Sequence, residues 1–175
     1  MLAYAAMHGP VPLRRPAAGR LAAAGALAAA LALAVALASE HLGGLEPCAL
    51  CLWQRWPYWG AVAAGVLALA LPRVALPLAL LVIALFLGNA SLAAFHAGVE
   101  WGFWPSPLSG CGAGATGAAG SVEELMARIA AAPIVRCDEP AIMIAGLSMA
   151  GWNAVYALAV GAGLLIWLKR TPRTA

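Results

Sequence analysis

Charge is what this sequence has least of. Only 10% of its 175 residues are charged, against about 25% in soluble domains. That is too little to coat a water-soluble globule, so a soluble domain is excluded. The net charge of +3 gives no nucleic-acid surface, because the cations stand at segment ends and form no patch. The apolar runs are continuous and lack the alternation of membrane barrel strands. Alternating strands and helices, which a thioredoxin-like domain would need, are missing as well. Leu52 stands where covalent haem attachment would want a histidine after Cys51. A zinc site would want a second close cysteine pair, and Cys111 and Cys137 are far apart in sequence.

What remains is apolar: 64% of the chain is hydrophobic. Runs of roughly 18 or more apolar residues read as membrane-spanning helices. The sequence predicts an all-α integral membrane protein, one domain over residues 1–175. Its four-transmembrane-helix bundle has spans at about 18–39, 52–71, 74–97 and 141–168. Helix is the only spanning form that continuous apolar runs allow. A competing reading takes Arg14 and Arg15, the run after them and Ala36-Leu37-Ala38 before Ser39 as a cleavable signal peptide. The run is longer than the usual signal core, so a retained first span is expected.

The cations set the orientation. Arg14, Arg15, Arg20, Arg73, Lys169, Arg170 and Arg173 fall on one side of the four-span arrangement, and Arg55, Arg128 and Arg136 on the other. The positive-inside rule puts both termini in the cytoplasm. The outer loops then run over about 40–51 and 98–140, and each holds two of the four cysteines. An even cysteine set facing an oxidising compartment favours disulfides. Within the long second loop, Ser121 and Glu124 match a capping box. Val122, Leu125, Met126 and Ile129 recur on one helical face. A short amphipathic helix through about 132 is expected there, lying on the membrane or packed on the loop.

The chemistry concentrates in Glu46-Pro47-Cys48-Ala49-Leu50-Cys51-Leu52-Trp53-Gln54-Arg55. Pro47 suits a first helical turn, which would set Cys48 and Cys51 at a helix N-terminus, where the dipole favours thiolate. Four residues after Cys51, Arg55 shares its helix face. A guanidinium at membrane depth is costly and marks function or snorkels to lipid phosphate. It can stabilise the Cys51 thiolate or donate to a carbonyl oxygen of a bound ligand. Trp53, Trp56 and Trp59 form an interfacial aromatic belt or a stacking surface for a flat redox ligand. His96 ends the third span as a satisfied buried histidine or a proton donor. Asn89 and Ser91 are expected to bridge helices by hydrogen bonds. A Cys111–Cys137 bridge would staple the second loop or, with Gly110, Gly112 and Gly114 around Cys111, offer a sulfur to a partner protein.

Four spans, C-x-L-C with Gln54-Arg55 close behind, and a cysteine pair in a second outer loop resemble the bacterial disulfide bond formation protein B (DsbB) family. The resemblance runs from the first span to the end of the fourth and is strongest at Cys48, Cys51, Arg55, Cys111 and Cys137. It implies an inner-membrane thiol oxidase that re-oxidises a periplasmic thioredoxin-like, DsbA-like partner and passes electrons to ubiquinone or menaquinone. It further implies that Cys111 forms the mixed disulfide with the partner, that Cys137 and Cys48 exchange, and that Cys51 faces the quinone ring. Arg55 is then expected at a quinone oxygen, with His96 and Trp56 completing the quinone site. Two other classes compete. A quinone reductase of the vitamin K epoxide reductase type should carry its CxxC near the last helix. A four-span scaffold of claudin type, with structural disulfides, gives no reason for Arg55.

Overall fold

A computed structural model describes residues 15–106, 121–123, 126–127 and 135–171. Four long helices dominate it: α1 (Arg15–His41), α2 (Ala49–Ala70), α3 (Ala75–Glu100) and α4 (Met149–Arg170). α1 packs on α2, α2 on α3 and α3 on α4, with α1 also meeting α3 across the middle. Among the described residues, three stretches are long and apolar enough to cross a bilayer: Ala17–His41, Pro72–Glu100 and Met149–Arg170. α2 is not among them, and it carries Gln54 and Arg55 in its first two turns. The chain is a helical membrane protein.

Small residues let the helices approach. The core is built from Ala18, Ala22, Ala29, Ala61, Ala64 and Ala68, with Leu21, Val82 and Phe86 filling the gaps. A Cβ on Gly65 would lie 2.3 Å from the Ala26 Cβ and 2.7 Å from the Ala22 carbonyl oxygen. That contact fixes how closely α1 and α2 can lie. Where no hydrophobic force acts between helices, such close packing is what holds them. Leu71 and a single tight turn at Pro72–Val74 join α2 to α3, so these two run as an antiparallel hairpin.

The fourth helix begins at Met149, not at 141. Residues before it form a two-residue-per-strand hairpin, β1 (Met143–Ile144) and β2 (Leu147–Ser148), with Met143 opposite Ser148. Ala145 and Gly146 both have positive φ, 51° and 82°, as a primed hairpin turn requires. The Trp152 indole donates to the Ile144 carbonyl at 2.9 Å, pinning the hairpin to α4. Ser148 caps α4, its hydroxyl accepting from the Gly151 N–H. The expected all-α fold is therefore interrupted by this one short ribbon.

The amphipathic helix expected through 132 lies largely outside the described residues; Val122, Glu123, Met126 and Ala127 are helical. Ser91 does not make the interhelical bond expected of it; it donates to the Leu87 carbonyl of its own helix. Asn89 is fully buried, and the polar group beside its amide is the Tyr58 hydroxyl of α2, short of normal hydrogen-bond geometry.

Candidate functional site

Helix α2 starts at Ala49, two residues after the proline. Cys48 is the N-cap, and its Sγ accepts the Cys51 N–H at 3.3 Å. Pro47 stands just before it. The sulfur replaces the serine or aspartate oxygen that usually satisfies a first-turn N–H. The expected helix-end thiolate does not apply to Cys48. Its pKa is pushed up to about 12, first by its hydrogen bond to the Cys51 sulfur and then by burial. Of the two thiols, Cys48 is the one that keeps its proton.

The second helix to reach the site is α3. His96 is buried, with Nε2 at 3.5 Å from Cys48 Sγ. Cys48, Cys51 and His96 bring their donor atoms within 4.8 Å of one another. Behind the imidazole a chain of side-chain hydrogen bonds ties three helices together. The Tyr58 hydroxyl donates to Asn153 Oδ1 at 2.5 Å. Asn153 Nδ2 donates to Gln54 Oε1 at 2.6 Å, and Gln54 Nε2 to His96 Nδ1 at 2.8 Å. With Nδ1 accepting, the ring proton belongs on Nε2, the nitrogen that faces Cys48. One turn on, Glu100 Oε1 lies 3.9 Å from that Nε2. The other carboxylate oxygen accepts from the Ser148 hydroxyl at the start of α4.

Cys137 arrives from the second loop. It is 2% exposed and packs with Cys48, Leu50 and Val99 in a small cluster of its own, apart from the main core. Next to it, Arg136 holds Asp138 by two bonds of 3.0 and 2.6 Å. That contact keeps the Asp138 carboxyl below its usual range. Cys48, Cys51 and Cys137 are all thiols in this structure. Cys111 lies outside the described residues.

A cleft of about 400 Å³ opens beside the sulfurs. Leu31, Ala32 and Val35 of α1, Ile144 of the hairpin and Met149 at the start of α4 make its apolar wall. Cys51, Arg55, His96 and Glu100 supply polar atoms on the other side. Arg55 pairs with Glu40 rather than with the Cys51 sulfur. Its Nη1 donates to Glu40 Oε2 at 2.5 Å, with the two side chains 16% and 27% exposed. Glu40 comes from the last turn of α1, so two helices fix the guanidinium.

The family described as "Disulfide bond formation protein DsbB" matches this chain over residues 18–167. The chain belongs to the DsbB family. A Rickettsia prowazekii (strain Madrid E) protein described as "Uncharacterized protein RP370" is 26% identical over 136 residues, 76% of this chain and 78% of its own length. No solved structure matches. DsbB membership makes the chain a membrane disulfide bond formation protein with a disulfide oxidoreductase role.

Set against that family, the expected residues divide. Cys48, Cys51, Arg55 and His96 meet at one cleft, and Cys137 joins Cys48 in one buried cluster. Trp56 does not join them: it is 73% exposed and outside the cleft lining. Trp53 and Trp59, each 50% exposed, also point outward. This is the placement of an aromatic belt. Trp152, from α4, is the tryptophan that lines the cleft. Sequence reasoning quoted Gln54 in the motif without giving it a role, and missed Asn153, Glu100 and Glu40. Each is a polar residue inside or at the end of an apolar helix, and that cost is the signal that marks such residues.

Proposed function

We propose that this protein re-oxidises a thioredoxin-like dithiol oxidase at the outer face of the bacterial inner membrane and passes the electrons to membrane quinone. Both termini face the cytoplasm, α2 completes a four-span bundle, and the cysteines face the periplasm. One observation carries the reading. Cys51 and Arg55 share an apolar-walled cleft, while Cys137 is buried in the same small cluster as Cys48.

Exchange proceeds by thiolate attack on a disulfide sulfur. A partner thiolate attacks Cys111 of the Cys111–Cys137 bridge, and Cys137 leaves as thiolate. Cys137 then attacks Cys48 of the Cys48–Cys51 bridge, and Cys51 leaves with the electron pair. The second partner thiol attacks the partner–Cys111 bond and departs oxidised. Cys111 next attacks Cys137, so its bridge re-forms and Cys48 leaves as thiolate. His96 Nε2, at 3.5 Å, supports the Cys48 sulfur when it carries negative charge.

The residues present fit a quinone. The cleft has apolar walls against which a ring and tail can pack. Arg55, with one N–H committed to Glu40, keeps further donors for a ring oxygen. A bound quinone supplies an acceptor for two electrons and two protons. Cys51 stands where its sulfur borders the cleft, Arg55 orients the ligand, and Leu31 and Val35 exclude water.

Trapping tests the partner half. A Cys137→Ser variant, in a host with a periplasmic thioredoxin-like oxidase, should accumulate a mixed disulfide with it through Cys111. If no adduct forms, while Cys111 is shown accessible by alkylation, the partner assignment fails.

A further inference from the structure

Three soft donors converge where the reaction needs only two. Cys48 Sγ, Cys51 Sγ and a histidine nitrogen all lie within 4.8 Å of one another. The shortest given separation, 3.5 Å between Cys48 Sγ and His96 Nε2, is close to the edge of a tetrahedron with bonds of about 2.3 Å to sulfur and about 2.0 Å to nitrogen. A carboxylate stands nearby, outside that group of three. Glu100, one turn after His96 on the same face, has Oε1 at 3.9 Å from Nε2, and its other oxygen accepts from Ser148. Its side chain is 6% exposed. A carboxylate buried this deeply is stabilised by positive charge, which a cation bound to the three donors would supply.

We infer that the reduced protein binds a thiophilic divalent cation, with zinc as the type, through Cys48, Cys51 and His96, with the Glu100 carboxylate beside the site balancing its charge. The sequence argued against zinc for want of a second close cysteine pair. The third ligand comes instead from α3, brought to the pair by folding. Charge supports the assignment: two thiolates and one carboxylate surround a dication. Binding releases two protons, one from each thiol, and forms two metal–sulfur bonds with no change of oxidation state. The surroundings suit a ligating histidine, whose second nitrogen normally donates to an oxygen. Gln54 sits 2.8 Å from Nδ1. Turned over together with Asn153, it presents Oε1 to an Nδ1–H and leaves the Nε2 lone pair for the metal.

The consequence is a redox-gated block. Disulfide formation consumes both sulfur ligands, so the oxidised protein loses the site. Conversely, a bound cation holds the dithiol closed and must leave before Cys48 and Cys51 can join. The site rests on donor geometry and stands whether or not quinone is the acceptor.

The test uses the full chain in detergent, reduced and freed of reductant, titrated with Co²⁺ and then Zn²⁺. One equivalent of Co²⁺ should bind, with a thiolate charge-transfer band and the intense visible bands of a tetrahedral site, and Zn²⁺ should displace it. Affinity should fall at least tenfold in His96→Ala and in Glu100→Gln, vanish in Cys48→Ser, and hold in Cys111→Ser. Absorption spectroscopy at the zinc edge of the wild type needs no variant and should show two sulfur and one imidazole scatterer. Undiminished affinity in His96→Ala, or an all-sulfur shell at the zinc edge, would overturn the assignment.

Discussion

The two ends of the bundle are held together by different forces. From Arg20 to about the middle of each helix, contacts are alanine, leucine and glycine, and closeness of approach does the work. At the cysteine end, Tyr58, Asn153, Gln54 and His96 link α2, α3 and α4 through directed bonds, while Glu40 and Arg55 clamp α1 to α2. The apolar half tolerates sliding and repacking. The polar half specifies one arrangement, because each buried donor or acceptor left unpaired costs about 1–3 kcal/mol. A redox centre that must hold sulfurs at bonding distance belongs in the second kind of environment.

The most severe way to break the contrast is to cut the polar chain at its middle. Gln54→Leu removes the partners of the half-buried Asn153 and of the buried His96. It should cost about 2–4 kcal/mol, read as a lowered thermal midpoint in detergent. A drop below about 0.5 kcal/mol would mean that the network is incidental.

The reverse experiment belongs at the edge of the polar half. Asn89, just past the middle of α3 and beside the Tyr58 hydroxyl, has a buried amide with no partner at normal hydrogen-bond length among the described residues. Asn89→Leu should be neutral or stabilising, by up to about 1–3 kcal/mol. Marked destabilisation would show that Asn89 has a partner that matters.

A smaller effect sharpens the comparison through pH. Cys48 in the folded, reduced protein has its pKa raised from 9.0 to about 12. The fold therefore favours the protonated thiol. That contribution is fully present below pH 9 and is lost as pH rises from 9 toward 12. The thermal midpoint of the reduced protein should fall across that window. Cys48→Ser should flatten the fall, and an unchanged slope in that variant would place the titration elsewhere.

Much of the chemistry was legible in the sequence because it is local. The Cys48/Cys51 pair and Arg55 lie within a few residues of one another, and helical periodicity alone puts Cys51 and Arg55 on one face. His96 was legible as a polar residue ending an apolar run. What stayed hidden is what folding brings together from different helices: Glu40 on Arg55, Glu100 and Gln54 on His96, Asn153 on Gln54. Trp56 was misjudged for the complementary reason. Spacing of three residues groups Trp53, Trp56 and Trp59 near one face, but not the face that lines the cleft. The hairpin at 143–148 was hidden by its composition. Met143, Ile144 and Leu147 extend the apolar run into α4, and Gly146 was the sole turn residue to mark the reversal.

Quinone reduction by the detergent-purified protein, with a reduced thioredoxin-like oxidase as donor, tests the central claim most directly. Wild type, Cys51→Ser and Arg55→Ala would be compared across quinone concentrations. The account predicts turnover by wild type, none by Cys51→Ser, and a raised quinone KM for Arg55→Ala. No turnover with either ubiquinone or menaquinone, or an Arg55→Ala variant with an unchanged quinone KM, would contradict it.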